Sequence, residues 1–240
     1  MKKLLAFTLA ETLIVMGIIG VIAALTIPNL NQSTGNREKI AKVKKIYSNL
    51  EDALGRATAT YGPYEEWMIK DNYPSTTIKF GDRITDFLKV SKNCGYVRGT
   101  NGTCFSNPKV KYASGEEWYS LDENNYYKFV LADGTAIATI TNYNNAGVTD
   151  IYVDIDGVRN GPTRIGHDIF TFRINSDGEL MPTGNSSIGN FDAFLENYKQ
   201  TGTHTTAWII QNNNMDYLKM NQDGKCSNGT TLSWENTSCN

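Results

Sequence analysis

Between Leu13 and Ile27 the chain reads LIVMGIIGVIAALTI, with Thr26 as its one clearly polar residue. A run this apolar has to be covered by something, whether lipid, a domain core or other helices. Taken from Phe7 to Ile27 it would span roughly 30 Å as a helix, the thickness of a hydrocarbon layer. Lys2 and Lys3 precede it and no other charge does, so the positive-inside rule predicts a cytoplasmic N-terminus with the remainder across the membrane. Glu11 sits within this stretch. A carboxylate there costs on the order of 2.5–3.5 kcal/mol on insertion scales, and such residues have a partner and a task. A secretory signal peptide gives no reason for it.

The segment Ala6-Phe7-Thr8-Leu9-Ala10-Glu11-Thr12-Leu13-Ile14-Val15 resembles the class III signal of type IV pilins and type II secretion pseudopilins. The resemblance implies a leader, residues 1–6, that is cut between Ala6 and Phe7, with N-methylation of the new Phe7 terminus. The family usually has Gly where Ala6 stands. Counted from Phe7, Glu11 is the fifth residue and Pro28 the twenty-second, the positions of the family's assembly Glu and its helix-bending Pro. The Glu11 carboxylate of one subunit would then neutralise the methylated amine of a neighbour, relieving a burial cost that neither relieves alone. The implied partners are a prepilin peptidase/methyltransferase, identical or related pilin subunits, an inner-membrane assembly platform and membrane lipid. Nucleic acid would be a partner only of a DNA-uptake pilus. The implied location is the inner membrane, single-pass, with the N-terminus cytoplasmic and the head periplasmic, or extracellular once assembled.

Past Asn29–Ser33 the pattern changes. Ile40, Val43, Tyr47, Leu50, Leu54, Ala57 and Tyr61 alternate in steps of three and four, a narrow apolar seam on an amphipathic helix. Lys39, Lys42, Lys44, Lys45, Glu51, Asp52 and Arg56 take the other faces; the lysine cluster reads as a solvated face. Pro28 would bend a continuous helix, and Gly62-Pro63 ends it. The expected organisation is a leader (1–6), a transmembrane and filament-core helix (7–28), an amphipathic second half (29–61) and a β-rich head (62–240). The expected fold class is α+β, a pilin-like lollipop. Its long N-terminal helix packs on a roughly four-stranded antiparallel sheet with irregular, disulfide-closed loops.

Within the head, Tyr126–Leu131 and Thr135–Thr141 flank Ala132-Asp133-Gly134, a strong hairpin signal. Thr149–Ile155 and Ile169–Ile174 read as further strands, and Ser176-Asp177-Gly178 turns the chain toward Leu180-Met181-Pro182. A short helix is expected around Arg83–Val90 and another after Asn190 as N-cap, with a buried element of open type at Thr206–Ile210. The stretch from Val153-Asp154-Ile155-Asp156-Gly157 through Asn160-Gly161-Pro162 to Gly166-His167-Asp168-Ile169-Phe170 is similar to a pattern in many prepilin-type sequences. Asp156 stands where Asn is commoner.

Cys94, Cys104, Cys226 and Cys239 include no Cys-x-x-Cys pair and no His cluster beside them, so zinc is not indicated. The predicted topology exports all four to an oxidising compartment, where disulfides persist. Three pairings exist, and proximity favours Cys94–Cys104 with Cys226–Cys239. The second would pin the C-terminal tail, as a disulfide-bounded loop does in pilins.

Catalytic signatures are missing: there is no nucleophile elbow, phosphate-binding Gly loop or His-x-x-x-His. His167 and His204 are the only histidines. With 23 basic and 25 acidic residues, no charge excess argues for nucleic acid. No cofactor is expected. The carboxylates Asp154, Asp156 and Asp168, with Asp150 and Asp177 nearby, are the candidates for a structural calcium, which some pseudopilins bind in their β-region loops. They lack the full calcium-loop pattern, and Asx turns are the competing reading. The expected function is a processed, polymerising structural subunit of a type IV pilus or type II secretion pseudopilus, and not an enzyme. The alternative is a membrane-anchored periplasmic binding module, for carbohydrate given the Tyr and Trp content, that is not polymerised.

Overall fold

A computed structural model describes residues 9–68, 74–100, 102–105, 109–118, 120–123, 125–142, 147–158 and 163–239, except for the side chains of residues 23–33, Met68 and Asn142. Ala6 and Phe7 lie outside the described residues, as does the side chain of Pro28. The first element is α1 (Leu9–Tyr61). The chain divides into two compact units, Met1–Glu38 and Lys39–Asn240.

In the first unit the described part is helix, with Glu11 in its first turn. The localisation expected from the sequence is corrected here: among the described residues no helix is long and apolar enough to cross a membrane. Within the residues whose side chains are described, the apolar stretch Leu13–Ile22 covers roughly 15 Å at 1.5 Å per residue, about half a hydrocarbon layer. Glu11 and Thr12 bound it on one side.

The second unit is α+β. Its sheet has six antiparallel strands in sequence order: β1 (Val90–Val97), β2 (Tyr126–Leu131), β3 (Ala136–Asn142), β4 (Val148–Asp154), β5 (Ile169–Ile174) and β6 (Leu180–Pro182). Sequence reading gave about four strands. β1 escapes it because Ser91-Lys92-Asn93-Cys94-Gly95 has no apolar alternation, and two bulges break its register with β2. β6 is three residues long and ends in a proline, as an edge strand can. Asp133-Gly134 makes the β2–β3 hairpin turn, with Gly134 at φ 90°.

On one face of the sheet lies the helical part that begins at Lys39. Ile40, Val43, Ile46, Leu50, Ala53, Leu54 and Ala57 are buried in one cluster with Phe129, Ile151, Val153, Phe170 and Phe172. The seam differs from the expected one by a small rotation: Ile46 and Ala53 are buried, while Tyr47 is half-buried and stacks on Phe172 at 5.8 Å. Tyr61 is exposed, its hydroxyl donating to Asp86.

The opposite face is covered too. Phe105, Val110, Leu121 and Ile165 cluster with Tyr126, Val130, Ala136, Ala138 and Ile169 of the sheet. All six β2 residues are therefore buried. Cys94–Cys104 ties β1 to this cover, and Cys226–Cys239 closes a loop at the C-terminal end.

Helices complete the unit: α2 (Tyr64–Met68), α3 (Ser75–Thr85), α4 (Phe191–Gln200) and α5 (Thr205–Asn212). The helix expected at Arg83–Val90 instead starts at Ser75 and ends at Thr85, where the chain turns into β1. Gly81 of α3 lies against the ring of Tyr127. Asn190 caps α4, its side chain accepting the Ala193 N–H. The open-type element is α5, whose Trp208 joins Phe191, Phe194, Tyr217 and Trp234 in an aromatic cluster.

Candidate functional site

Two features stand out, one in each unit. The first is the surface of α1 from Leu9 to Ile22. Leu9, Leu13, Ile14, Val15, Met16, Ile18, Ile19, Val21 and Ile22 are between 51% and 80% exposed. Successive helical residues step about 100° around the axis, so consecutive apolar positions from Leu13 to Met16 cover the whole circumference. Gly17 and Gly20 add places where a Cβ would meet nothing within 4 Å. An apolar surface of this extent marks an interaction site. Its one carboxylate is Glu11.

The second is a charged cluster where the head begins to hold α1. Lys39 reaches the β4–β5 connection: its ammonium donates to Asp168 Oδ1 at 2.5 Å and to the His167 carbonyl at 3.0 Å. Asp156 Oδ2 lies 3.5 Å away. These carboxylates hold the Lys39 amine protonated, raising its pKa against the opposing effect of burial. Behind this pair is Asp154, at the end of β4 and 0% exposed. Its Oδ1 accepts the N–H groups of Asp156 and Gly157, an Asx turn, while its Oδ2 is buried with no hydrogen-bond partner. Burial first, then the neighbouring carboxylates Asp168 and Asp156, push the Asp154 carboxyl up to about 7; the two N–H donors pull it down but do not prevail.

Asp154, Asp156 and Asp168 are thus brought near one another, with the Lys39 ammonium against Asp156 and Asp168. Among the described residues no group of three or more His, Cys, Asp or Glu side chains could hold a metal ion. The cation in the cluster is the Lys39 ammonium, and Asp154 faces two backbone amides. Asp150 is engaged elsewhere, accepting from Arg173 at 2.7 Å, and Asp177 lies on the exposed β5–β6 turn.

His167 is half-buried beside Arg164 and Lys39; burial first, then those two cations, lowers its pKa to about 4, so it is neutral. His204 immediately precedes α5, and its pKa is lowered by burial. Trp67 and Trp208 go inward, 1% and 0% exposed, and half-buried Trp118 stacks on Tyr112 and meets Tyr152 at a tilt, 5.5 Å from each. An open cleft of about 620 Å³ lies between the Lys45–Arg56 face of α1 and the β2–β3 hairpin. Among its charges Lys45 pairs with Asp133 and Arg56 with Asp52.

Sequence reasoning placed Lys39 on a solvated face and missed its role. It also missed Lys128, 0% exposed, whose ammonium donates to the carbonyls of Val97 and Asp122 at 2.7 and 2.6 Å. Strand periodicity was the available signal for Lys128, since it shares a face with Tyr126 and Val130. Nothing in the sequence signalled the Lys39 contact, which spans more than a hundred residues of chain.

No family model, no curated protein and no solved structure matches this chain.

Proposed function

We propose that the chain is a structural subunit of a type IV pilus or type II secretion pseudopilus, assembled into a filament through its N-terminal helix. It would have the pilin-like fold, a long N-terminal helix with an antiparallel sheet. The observation that carries this reading is the apolar surface of α1 between Leu9 and Ile22, exposed around its full circumference. A groove on one partner would cover one face of such a helix. Covering every face takes several helices at once, as in a bundle built from copies of the same segment. Gly17 and Gly20 suit close backbone approach in that bundle.

Glu11 supports the same reading. A carboxylate among these apolar residues needs a cation when the bundle closes, and a methylated amine on a neighbour's Phe7 would supply it. The resemblance of Ala6–Val15 to prepilin signals makes that amine available through cleavage before Phe7 by a prepilin peptidase. The head is stapled by two disulfides, Cys94–Cys104 and Cys226–Cys239, which suits a subunit exposed on a filament in an oxidising environment.

The test is mass analysis of the mature N-terminus together with electron microscopy of the assembled material. The reading requires a methylated Phe7 terminus and filaments that disappear when Glu11 is replaced by Ala. An intact Met1, or filaments unaffected by that replacement, would refute it.

A further inference from the structure

The charged cluster at the start of the packed part of α1 is more than a tether. Lys39 bridges Asp156 and Asp168, and behind them Asp154 is fully buried with one oxygen bonded and the other bare. With every carboxyl ionised, three negative groups would share one ammonium, and the bare Asp154 oxygen would carry charge with no protein donor beside it. Either a proton stays on Asp154 or the turn opens to let water in.

We propose that Asp154, Asp156, Asp168 and Lys39 form a proton-operated latch, in which the turn Asp154–Gly157 is closed while Asp154 carries a proton and opens when it is lost. The turn is tightly bounded. A Cβ on Gly157 would come within 2.2 Å of the Gly134 carbonyl oxygen, so the closed turn rests directly on the β2–β3 hairpin. The charged groups that face Asp154 come from each neighbouring element. Asp156 and Asp168 of the β4–β5 connection act on Asp154 directly, and Lys39 of α1 bridges those two; His167 lies beside Lys39 and Arg164, and Asp133 of the hairpin is paired with Lys45. Tyr217 reaches the same connection, its hydroxyl donating to the Gly166 carbonyl. At β3 and β5 the register partners of Asp154 are the apolar Ala136 and Ile169. Across neutral pH His167 is already neutral and Lys39 is held protonated.

The direction follows from linkage. A carboxyl whose folded pKa lies above its unfolded value stabilises the closed form below the unfolded value, near 3.8, and that stability is lost as pH rises through about 7. Between pH 6 and pH 8 the solvated state of Asp154 releases its proton freely while the closed state resists. An opening that exposes Asp154 becomes about tenfold more populated over that interval.

Hydrogen exchange on the full-length chain tests this. The readout is the protection factors of the Asp156 and Gly157 amides, corrected for intrinsic exchange, at pH 6 and pH 8. The expected result is a loss of protection of about tenfold at pH 8, absent in Asp154→Asn, while amides in the middle of β4 and β5 change less. Equal protection at the two pH values in the wild-type chain would overturn the proposal. Should the variant fail to fold, a carboxyl NMR titration of the wild-type chain decides: an Asp154 carboxyl titrating near neutrality supports the latch, and one titrating below pH 5 removes it.

Discussion

Gly81 and Gly55 both lie in helices, and the same substitution has opposite consequences at the two sites. Alanine is the better helix former by about 1 kcal/mol, so propensity alone favours Gly→Ala at either position. At Gly81 a Cβ would stand 2.1–2.3 Å from three ring carbons of Tyr127. Ordinary carbon contacts lie near 3.5–4.0 Å, so the ring or the helix has to move by roughly 1.5 Å. The ring is not free to move: it is 2% exposed, its hydroxyl donates to Asp82 Oδ1 at 2.7 Å, and it accepts from Asn93 Nδ2 at 2.8 Å. Overpacking of this kind costs about 1–3 kcal/mol, and displacing the hydroxyl adds about 1 kcal/mol for each hydrogen bond lost. Set against the propensity gain, Gly81→Ala is expected to destabilise the head by about 2 kcal/mol, a fall in Tm of roughly 4–8 °C for a domain of this size. At Gly55 a Cβ meets nothing within 4 Å, and Gly55→Ala is expected to raise Tm by roughly 2–4 °C. Thermal unfolding of the three full-length proteins, followed by circular dichroism, measures both shifts. A Gly81→Ala protein that melts at or above the wild-type temperature would show that α3 is not clamped against β2 as described.

Three further outcomes are expected. Glu11→Ala should leave the melting temperature of the head unchanged and abolish filaments seen by electron microscopy, because Glu11 and the head belong to separate compact units. Replacing Cys226 and Cys239 together by Ser should cost about 3 kcal/mol in denaturant unfolding, the chain-entropy value for a loop of this order, and free the tail held by Asp216 through Ser238 and Cys239. His167, whose folded pKa is depressed to about 4, contributes stability that is fully present above its unfolded value near 6.5 and is lost as pH falls through about 4. Acid unfolding of His167→Asn should therefore lack part of the wild-type loss across that interval.

The parts of the fold that were legible in the sequence are those where one local rule decides the outcome. Alternating β-branched and aromatic residues on both sides of Asp133-Gly134 leave little but a hairpin, and β2 and β3 lie there. Asn190 before Phe191–Tyr198 is an N-cap by chemistry, and its side chain takes the Ala193 amide. β1 was illegible for the complementary reason. Its pairing with β2 comes from long-range hydrogen bonds across two bulges, and one residue in it is a disulfide cysteine whose partner lies in the cover of the outer face. The helix expected at Arg83–Val90 fell short because Ile84 and Phe87 also fit the end of α3, which packs beside Tyr127 and is followed directly by β1.

The cluster at Lys39 shows why sites are harder to read than elements. Periodicity put Lys39 off the apolar seam, and that placement is right: Ile40 and Val43 are buried and Lys39 is not. A long flexible side chain can nevertheless lay its stem along the apolar surface and carry its ammonium to carboxylates that helical spacing says nothing about. Those carboxylates were legible as a group, because Asp154-Ile155-Asp156-Gly157 and His167-Asp168 are acidic residues at turns between predicted strands. What the sequence could not say was the sign of their neighbour. Oxygen ligands at Gly turns suit a divalent cation, and the same oxygens suit an ammonium supplied from within the chain. The choice between them rests on where α1 lies against the sheet, a tertiary fact. It also changes the chemistry: a resident dication would hold all three carboxyls ionised, whereas a single ammonium leaves the buried Asp154 to keep a proton near neutral pH. Lys39→Met separates the two cases. Removing the one cation in the cluster should raise the pH at which Asp154 titrates and lower the head's stability at pH 8 more than at pH 6. A Lys39→Met head as stable as the wild-type head at both pH values would show that the ammonium does not balance these carboxylates.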